Sequence, residues 1–252
     1  MMKVAAIQHD ICWEDPAATF ERLAPLVDEA TDAGARLVLF TEMFSTGFSM
    51  AAERIAEAVD GPSSTWLIDQ AARTGAWFGA SVPTRLEGFA RPVNAFTLAS
   101  PDGEVVRYAK RHPFTHAGEH THYDAGRETV TVRIDGVRVT PTVCYDLRFA
   151  DLYWAAAPVT DLYLVVASWP AARRLHWRAL LVARAIENQA YVVGVNRVGS
   201  GGGLDYVGDS VIIDPMGAAV ATAADGETVL IGEVDPTLVN EVRRRFPFLN
   251  DR

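Results

Sequence analysis

The run Leu162-Tyr163-Leu164-Val165-Val166-Ala167 is apolar at every position, and a strand of that kind is stable only in a sheet that is covered on both faces. Similar runs recur along the chain in a repeated order. Residues 4–8 read as a first strand. Asp15 and Pro16 then offer a cap and a first-turn proline to a helix in which Phe20, Leu23, Leu26, Val27 and Ala30 recur at helical spacing up to Gly34. Residues 37–40 read as a second buried strand, 62–73 as a second amphipathic helix closed by Gly75, and 76–82 as a third strand. Residues 93–99 and 105–109, joined by Ser100-Pro101-Asp102-Gly103, form a hairpin pattern. From Val137 the order returns: strand 137–143, helix near 147–157, strand 162–167, helix 173–188, strand 191–195, and two strands meeting at Asp214-Pro215-Met216-Gly217. Residues 228–234 add one more strand.

Each half thus reads β-α-β-α-β-β, and two helices can cover only one face of its sheet. Pressing the two uncovered sheet faces together satisfies both halves. This predicts an α/β fold of four α-β-β-α layers with two pseudo-repeated halves in a single domain over residues 1–252. One continuous doubly wound sheet is the alternative that the pattern leaves open.

Composition narrows the partners. A chain of 252 residues that is 49% hydrophobic can bury a core without a disulfide or metal staple. Lys+Arg 23 against Asp+Glu 32 leaves a formal net charge of −9, which repels phosphate backbones and anionic lipid. Neither nucleic acid nor a membrane is expected as a partner; a small-molecule substrate is. No apolar run approaches the roughly 20 residues that cross a bilayer, and the start, Met1-Met2-Lys3-Val4, turns polar by Gln8-His9-Asp10, too early for a secretory signal. Only Cys12 and Cys144 occur, which points to a cytoplasmic protein in which a cysteine can serve as a nucleophile.

Three polar residues stand where strands end: Glu42 after 37–40, Lys110 after 105–109 and Cys144 after 137–143. Ligands bind at the carboxyl ends of strands in α/β sheets, so the three can converge. A thiol needs a base and a nearby cation to act as a nucleophile, and a carboxylate with an ammonium supplies both. Taken singly, each has a plainer reading, as a small buried hydrophobe for the cysteine and solvated charges for the other two.

Thr41-Glu42-Met43-Phe44-Ser45-Thr46-Gly47-Phe48, Tyr108-Ala109-Lys110-Arg111-His112 and Val143-Cys144-Tyr145-Asp146-Leu147-Arg148-Phe149 resemble the three signatures of the nitrilase superfamily, in order and comparably spaced. The stretches from Arg184 to Tyr191 and from Gly208 to Gly217 resemble further parts of these proteins. The resemblance implies the nitrilase-type α-β-β-α sandwich, hydrolysis of non-peptide carbon–nitrogen bonds, no cofactor or metal, and a homodimer. It implies Glu42 as base, Cys144 as nucleophile, and Lys110 with the backbone N–H of Tyr145 as the oxyanion site. Glu119 matches a second glutamate that the family places beside the lysine. Thr41 departs from the family, which more often has proline there.

Glu42 to Phe48, Cys144 to Phe149 and Ser168-Trp169-Pro170-Ala171-Ala172-Arg173 are similar to the omega-amidase branch, which deaminates 2-oxoglutaramate or 2-oxosuccinamate. Another amidase, or an N-carbamoyl amino acid hydrolase of the same superfamily, is the alternative, because the trio is shared. A 2-oxo acid carries a carboxylate that a guanidinium holds well. Arg173, in the turn beginning at Trp169, is expected to bind it, with Trp169 lining the site, Arg174 as a competitor and Arg148 in a structural ion pair.

From a different class, His112, His116, His120 and His122 raise a metal-dependent hydrolase, although 113–126 reads as a loop or lid rather than a helix that aligns ligands. A third possibility keeps the fold as a scaffold without turnover. Gly199-Ser200-Gly201-Gly202-Gly203 opens no helix and reads as a flexible turn, and Arg243-Arg244-Arg245 reads as a solvated face or subunit contact.

Overall fold

A computed structural model of the chain describes residues 1–223 and 225–252. The first half runs β1 (Met2–Gln8), α1 (Pro16–Asp32), β2 (Leu37–Leu39), α2 (Ala52–Ile55), α3 (Pro62–Thr74), β3 (Trp77–Thr84), β4 (Val93–Ala99) and β5 (Val105–Ala109), followed by the single turn α4 (Glu119–His122). The second runs β6 (Val132–Ile134), β7 (Val137–Val143), α5 (Ala150–Ala156), β8 (Leu162–Ala167), α6 (Arg174–Asn188), β9 (Tyr191–Asn196), β10 (Val198–Gly201), β11 (Leu204–Val207), β12 (Val211–Ile213), β13 (Ala219–Thr222), β14 (Thr228–Val234) and α7 (Pro236–Arg245).

The helices start and stop where their local chemistry dictates. In α1 the Asp15 side chain accepts from Ala18 N and proline opens the first turn, while Thr19, Leu23, Val27 and Ala30 form the buried stripe. Gly75 ends α3 in the left-handed region at φ 72°, where its N–H reaches the carbonyl of Ala71.

The strands form two six-stranded sheets, ordered β14-β1-β2-β3-β4-β5 and β13-β12-β9-β8-β7-β6. Three parallel strands lead each sheet, β1-β2-β3 in one and β7-β8-β9 in the other, followed by antiparallel β4-β5 or β12-β13. Each also carries an antiparallel strand on its far side, β14 on β1 and β6 on β7, so the halves repeat. Two sheets instead of one dispose of the doubly wound alternative.

Alternating side chains explain the stacking. Val4, Ala6, Leu37, Leu39, Phe96 and Leu98 of the first sheet meet Val139, Val143, Leu164, Val166, Val193 and Val195 of the second in one buried cluster. On the outer faces, Ile7, Val38 and Phe40 pack on Leu23, Val27 and Leu67, and Tyr163, Val165 and Val192 pack on Leu152, Trp177 and Leu181. The layers are therefore α-β-β-α, as the sequence implied.

Two features differ from the sequence reading. The glycine run closes a hairpin: among the described residues β10 and β11 pair only with each other, and Gly202 and Gly203 turn between them at φ 60° and 79°. Arg243 is not simply solvated. It is half-buried and donates to the carbonyls of Thr160, Asn188 and Gln189, tying α7 to the end of α6, while Arg244 and Arg245 are exposed. Among the described residues no helix is long and apolar enough to cross a membrane.

Candidate active site

The parallel strands end on one side of the stacked sheets, and the segments leaving them carry the polar residues. Glu42 lies just past β2, Cys144 directly after β7 and Ser168 directly after β8. Because β4 runs antiparallel to β3, its starting end, with Asn94, lies on the same side, as does Lys110 at the close of β5.

Lys110 Nζ donates to Glu42 Oε1 at 2.8 Å and to both oxygens of Glu119 at 3.1 and 2.8 Å. Asn94 Nδ2 bridges the same two carboxylates at 2.8 and 3.1 Å. Glu42 Oε2 accepts from the backbone N–H of Ser168 at 2.9 Å, and Glu119 Oε2 from that of Phe114. Glu42, Glu119, Asn94 and Lys110 are each at most 1% exposed. Such buried charges persist only because every one is paired and hydrogen-bonded.

One ammonium between two carboxylates leaves an excess negative charge beside Cys144, and the thiol responds. Burial pushes its pKa well up, the charge of Glu42 adds to this, and Lys110 opposes it. Cys144 therefore rests as a neutral thiol beside the Glu42 carboxylate. Burial alone would discharge Lys110, but the pull of Glu119 and then Glu42 outweighs it and holds the ammonium charged. For Glu119, burial and the neighbouring Glu42 outweigh Lys110, and its pKa is raised.

Cys144 has φ 45°, a left-handed conformation that is costly for a residue with a Cβ. It opens a short 3₁₀ turn, Cys144–Arg148, whose first N–H groups, including that of Tyr145, have no carbonyl in the preceding turn to bond. The buried Asp146 holds this turn in place. Its carboxylate accepts from Val143 N at 3.1 Å, Tyr108 Oη at 2.7 Å, His112 N at 3.0 Å and His112 Nδ1 at 2.9 Å. Tyr108 and His112 flank Lys110 by two residues on either side, so one carboxylate joins the lysine segment to the cysteine turn.

Above Cys144 lies a cavity of about 200 Å³, walled by Phe48, Met50, Phe114, Trp169, Leu204 and Tyr206. Arg148 and Arg173 line it as well. Arg173 sits over the Phe114 ring at 5.2 Å, and its carbonyl accepts from Trp169 Nε1. Arg174 is turned away onto Asp209 through two bonds of 2.8 Å, which removes it as a competitor. The structural ion pair expected for Arg148 is a correction: its guanidinium lies 4.8 Å over the Trp169 ring and donates to His176 Nδ1, and among the described residues it meets no carboxylate.

The structure thus brings Glu42, Lys110, Glu119 and Cys144 together, with Tyr145, Trp169 and Arg173 at the cavity. It does not assemble the histidines: His112 is engaged by Asp146, and among the described residues no three His, Cys, Asp or Glu side chains are grouped as metal ligands would be. The 113–126 segment is a wall of the site, with Phe114 and Ala117 on the cavity and Glu119 folded inward. Asn94, Ser168, Asp146 and Tyr206 were not anticipated as site residues. Asn94, polar and one position into the largely apolar β4, was the available signal.

The model of the family described as "Carbon-nitrogen hydrolase" matches residues 3–244. The chain is 42% identical to "Omega-amidase YafV" of Yersinia enterocolitica, over 99% of this chain and 96% of the relative. It is 30% identical to "2-oxoglutaramate amidase" of Bacillus subtilis (strain 168), over 98% and 96%. Among solved structures, XC1258 from Xanthomonas campestris, described as a CN-hydrolase superfamily protein with an arsenic adduct in the active site, superposes with a TM-score of 0.93 at 38% identity, covering 100% of this chain and 97% of that one.

Proposed function

The chain belongs to the carbon–nitrogen hydrolase family, in its nitrilase-superfamily amidase branch, and from that premise we propose that it hydrolyses the terminal amide of a small 2-oxo dicarboxylic acid monoamide such as 2-oxoglutaramate or 2-oxosuccinamate. The observation that carries this reading is a cysteine beside a buried carboxylate, lining a small cavity that two guanidinium groups also line, neither of them paired with a carboxylate among the described residues. The amide end meets the thiol, and the acid end meets Arg148 or Arg173.

Glu42 takes the thiol proton as Cys144 Sγ attacks the amide carbon. The oxyanion that forms is received by the Lys110 ammonium and the Tyr145 N–H. Glu42 passes the proton to the leaving nitrogen, ammonia departs and a thioester remains. Glu42 then deprotonates a water that attacks the thioester, and the dicarboxylate leaves with the thiol restored. Glu119 holds the ammonium against Glu42 throughout. No step calls on a metal or an organic cofactor.

The unit is residues 1–252 acting together, since Glu42, Lys110 and Glu119 come from the first half and Cys144 and Ser168 from the second. The cytoplasm, which keeps thiols reduced, suits the two free cysteines. Exposed Trp154, Leu175, Ile186 and Phe248 favour pairing as a homodimer.

The test is ammonia release from 2-oxoglutaramate, 2-oxosuccinamate, glutamine, asparagine, an N-carbamoyl amino acid and an aliphatic nitrile. Preference for the two 2-oxo acids, retained with a chelator and abolished by a thiol alkylator, supports the reading. Preference for the carbamoyl compound moves the substrate elsewhere in the family, and loss on chelation favours the metal hydrolase.

A further inference from the structure

Tyr206 belongs to the hairpin wall of the cavity and lies far in sequence from every residue given a role above. It is 5% exposed, on β11, and it lines the same space as Cys144 and Arg173. Its ring is fixed from behind by the Arg197 guanidinium, 4.5 Å from the ring centre. Arg197 is itself anchored, donating to Asp10 Oδ1 at 2.7 Å and to the Ser200 carbonyl at 3.3 Å.

The hairpin is also wedged in position. The Trp13 indole lies so close to Gly47, Gly201 and Gly202 that a Cβ on any of the three would come within 2.7–2.9 Å of the ring. Side chains at those positions would push the hairpin away from the site. The tyrosine is therefore preorganised, and yet among the described residues nothing hydrogen-bonds its hydroxyl.

The rest of the lining narrows what that hydroxyl can do. Phe48, Met50 and Leu204 offer no donor, and Ser168 Oγ is committed to the Glu42 carbonyl. Tyr145 also lines the cavity, but it is only half-buried, so water can serve its hydroxyl. Tyr206 is within electrostatic reach of Glu42 and Cys144 as well as Arg173. Burial holds its pKa up, at about 12, so it remains a proton donor at working pH. A guanidinium suits a carboxylate, whereas a neutral carbonyl needs a single donor beside it. In a 2-oxo acid those two acceptors are adjacent.

We propose that the Tyr206 hydroxyl donates a hydrogen bond to the 2-oxo oxygen of the substrate, making Tyr206 the residue that distinguishes a 2-oxo acid monoamide from the same monoamide lacking the oxo group. The inference rests on the 2-oxo amidase reading and names the group that reads the oxo carbon. It also gives a use to a hydroxyl that the protein itself leaves unbonded at the cavity, because a site built to bond a polar substituent disfavours the analogue without it.

The experiment compares kcat/KM of wild type and Tyr206→Phe on 2-oxoglutaramate, on glutaric monoamide, which keeps the carboxylate and amide but lacks the oxo group, and on butyramide, which lacks both. Phenylalanine preserves the stack on Arg197. The variant is expected to lose about fivefold to tenfold more on 2-oxoglutaramate than on glutaric monoamide, the size of one neutral hydrogen bond. Equal losses on the two acids, or no loss on either, overturn the proposal. If wild type favours neither acid over butyramide, the carboxylate reading itself has failed, whatever Tyr206 does.

Discussion

Replacing Lys110 by Met tests the charge arithmetic of the site most directly. The ammonium makes three bonds to Glu42 and Glu119, and Asn94 is the remaining side chain that bridges them. Methionine fills comparable space but leaves two carboxylates facing each other out of water. Removing one partner of a buried ion pair costs about 3–5 kcal/mol when the remaining charge cannot escape. Here it can escape in part by binding a proton, since like charges at such a separation do not both ionise readily. The variant's folded state then carries a proton that its unfolded chain, with ordinary glutamates, has lost above about pH 4.3. Above that pH the folded state binds more protons than the unfolded, so stability falls as pH rises. We therefore expect Lys110→Met to unfold in urea at nearly the wild-type midpoint at pH 5 and well below it at pH 8. Its kcat should fall by about 10²–10³, the usual loss when an oxyanion donor is removed. A stability loss that is equal at both pH values would refute the arithmetic, and an unchanged kcat would refute the role.

The other expectations are smaller in scope. Cys144→Ala should fold as wild type and lose at least about a thousandfold in kcat, roughly 4 kcal/mol of barrier, read by ammonia release; comparable turnover would end the thiol mechanism. Asp146→Asn keeps an oxygen for Val143 or Tyr108 but not for all four donors, so kcat should drop about tenfold or more with KM little changed, and wild-type KM-to-kcat proportions would remove its positioning role. His9 is buried beside Thr41, and burial lowers its pKa to about 4. Its unfolded form takes a proton near pH 6.5, so between the two values the unfolded state binds more protons and stability falls with falling pH, by about 3 kcal/mol in all. His9→Gln should flatten that acid limb of a thermal-melt series. Gly194→Ala would place a Cβ 2.5 Å from Leu181 and should lower the melting temperature, at a cost of about 1–3 kcal/mol, without changing KM.

The layers were legible because their cause is periodic. Leu164 and Val166 face one way along β8, Tyr163 and Val165 the other, and all four are buried, so an unbroken apolar run announced a sheet covered on both sides. Where pairing is short or local, the signal fades. Val132–Ile134 is three residues long with one exposed, and β10 to β11 is half glycine and polar, so neither shows the period that identifies a strand. Arg243 was misread for a related reason. A basic triplet carries no mark that tells which member faces backbone carbonyls at the end of a neighbouring helix.

The site divides along the same line. Glu42, Lys110 and Cys144 each close an apolar strand, so their convergence follows from topology once the strands are placed. What makes them a working set does not sit at strand ends. The carboxylate of Asp146 faces the lysine segment only because the 3₁₀ turn folds back beneath it, and Ser168 supplies a backbone N–H, which no residue type encodes. The two arginines show the limit most plainly. Arg173 and Arg174 are neighbours in sequence, but α6 begins between them, and that change of backbone direction sends Arg174 to Asp209 and leaves Arg173 at the cavity. Arg148, one turn past the nucleophile, reaches the cavity because the short turn ends at Phe149 instead of continuing as a helix. If either arginine holds the carboxylate, as proposed, substrate choice rests on where two helical turns start and stop. Arg148→Ala and Arg173→Ala should therefore differ in how much more 2-oxoglutaramate loses than butyramide. The residue that holds the carboxylate should show an excess of about tenfold or more, in line with a charge-assisted hydrogen bond. Losses that are the same for both substrates in both variants would place the carboxylate outside this cavity.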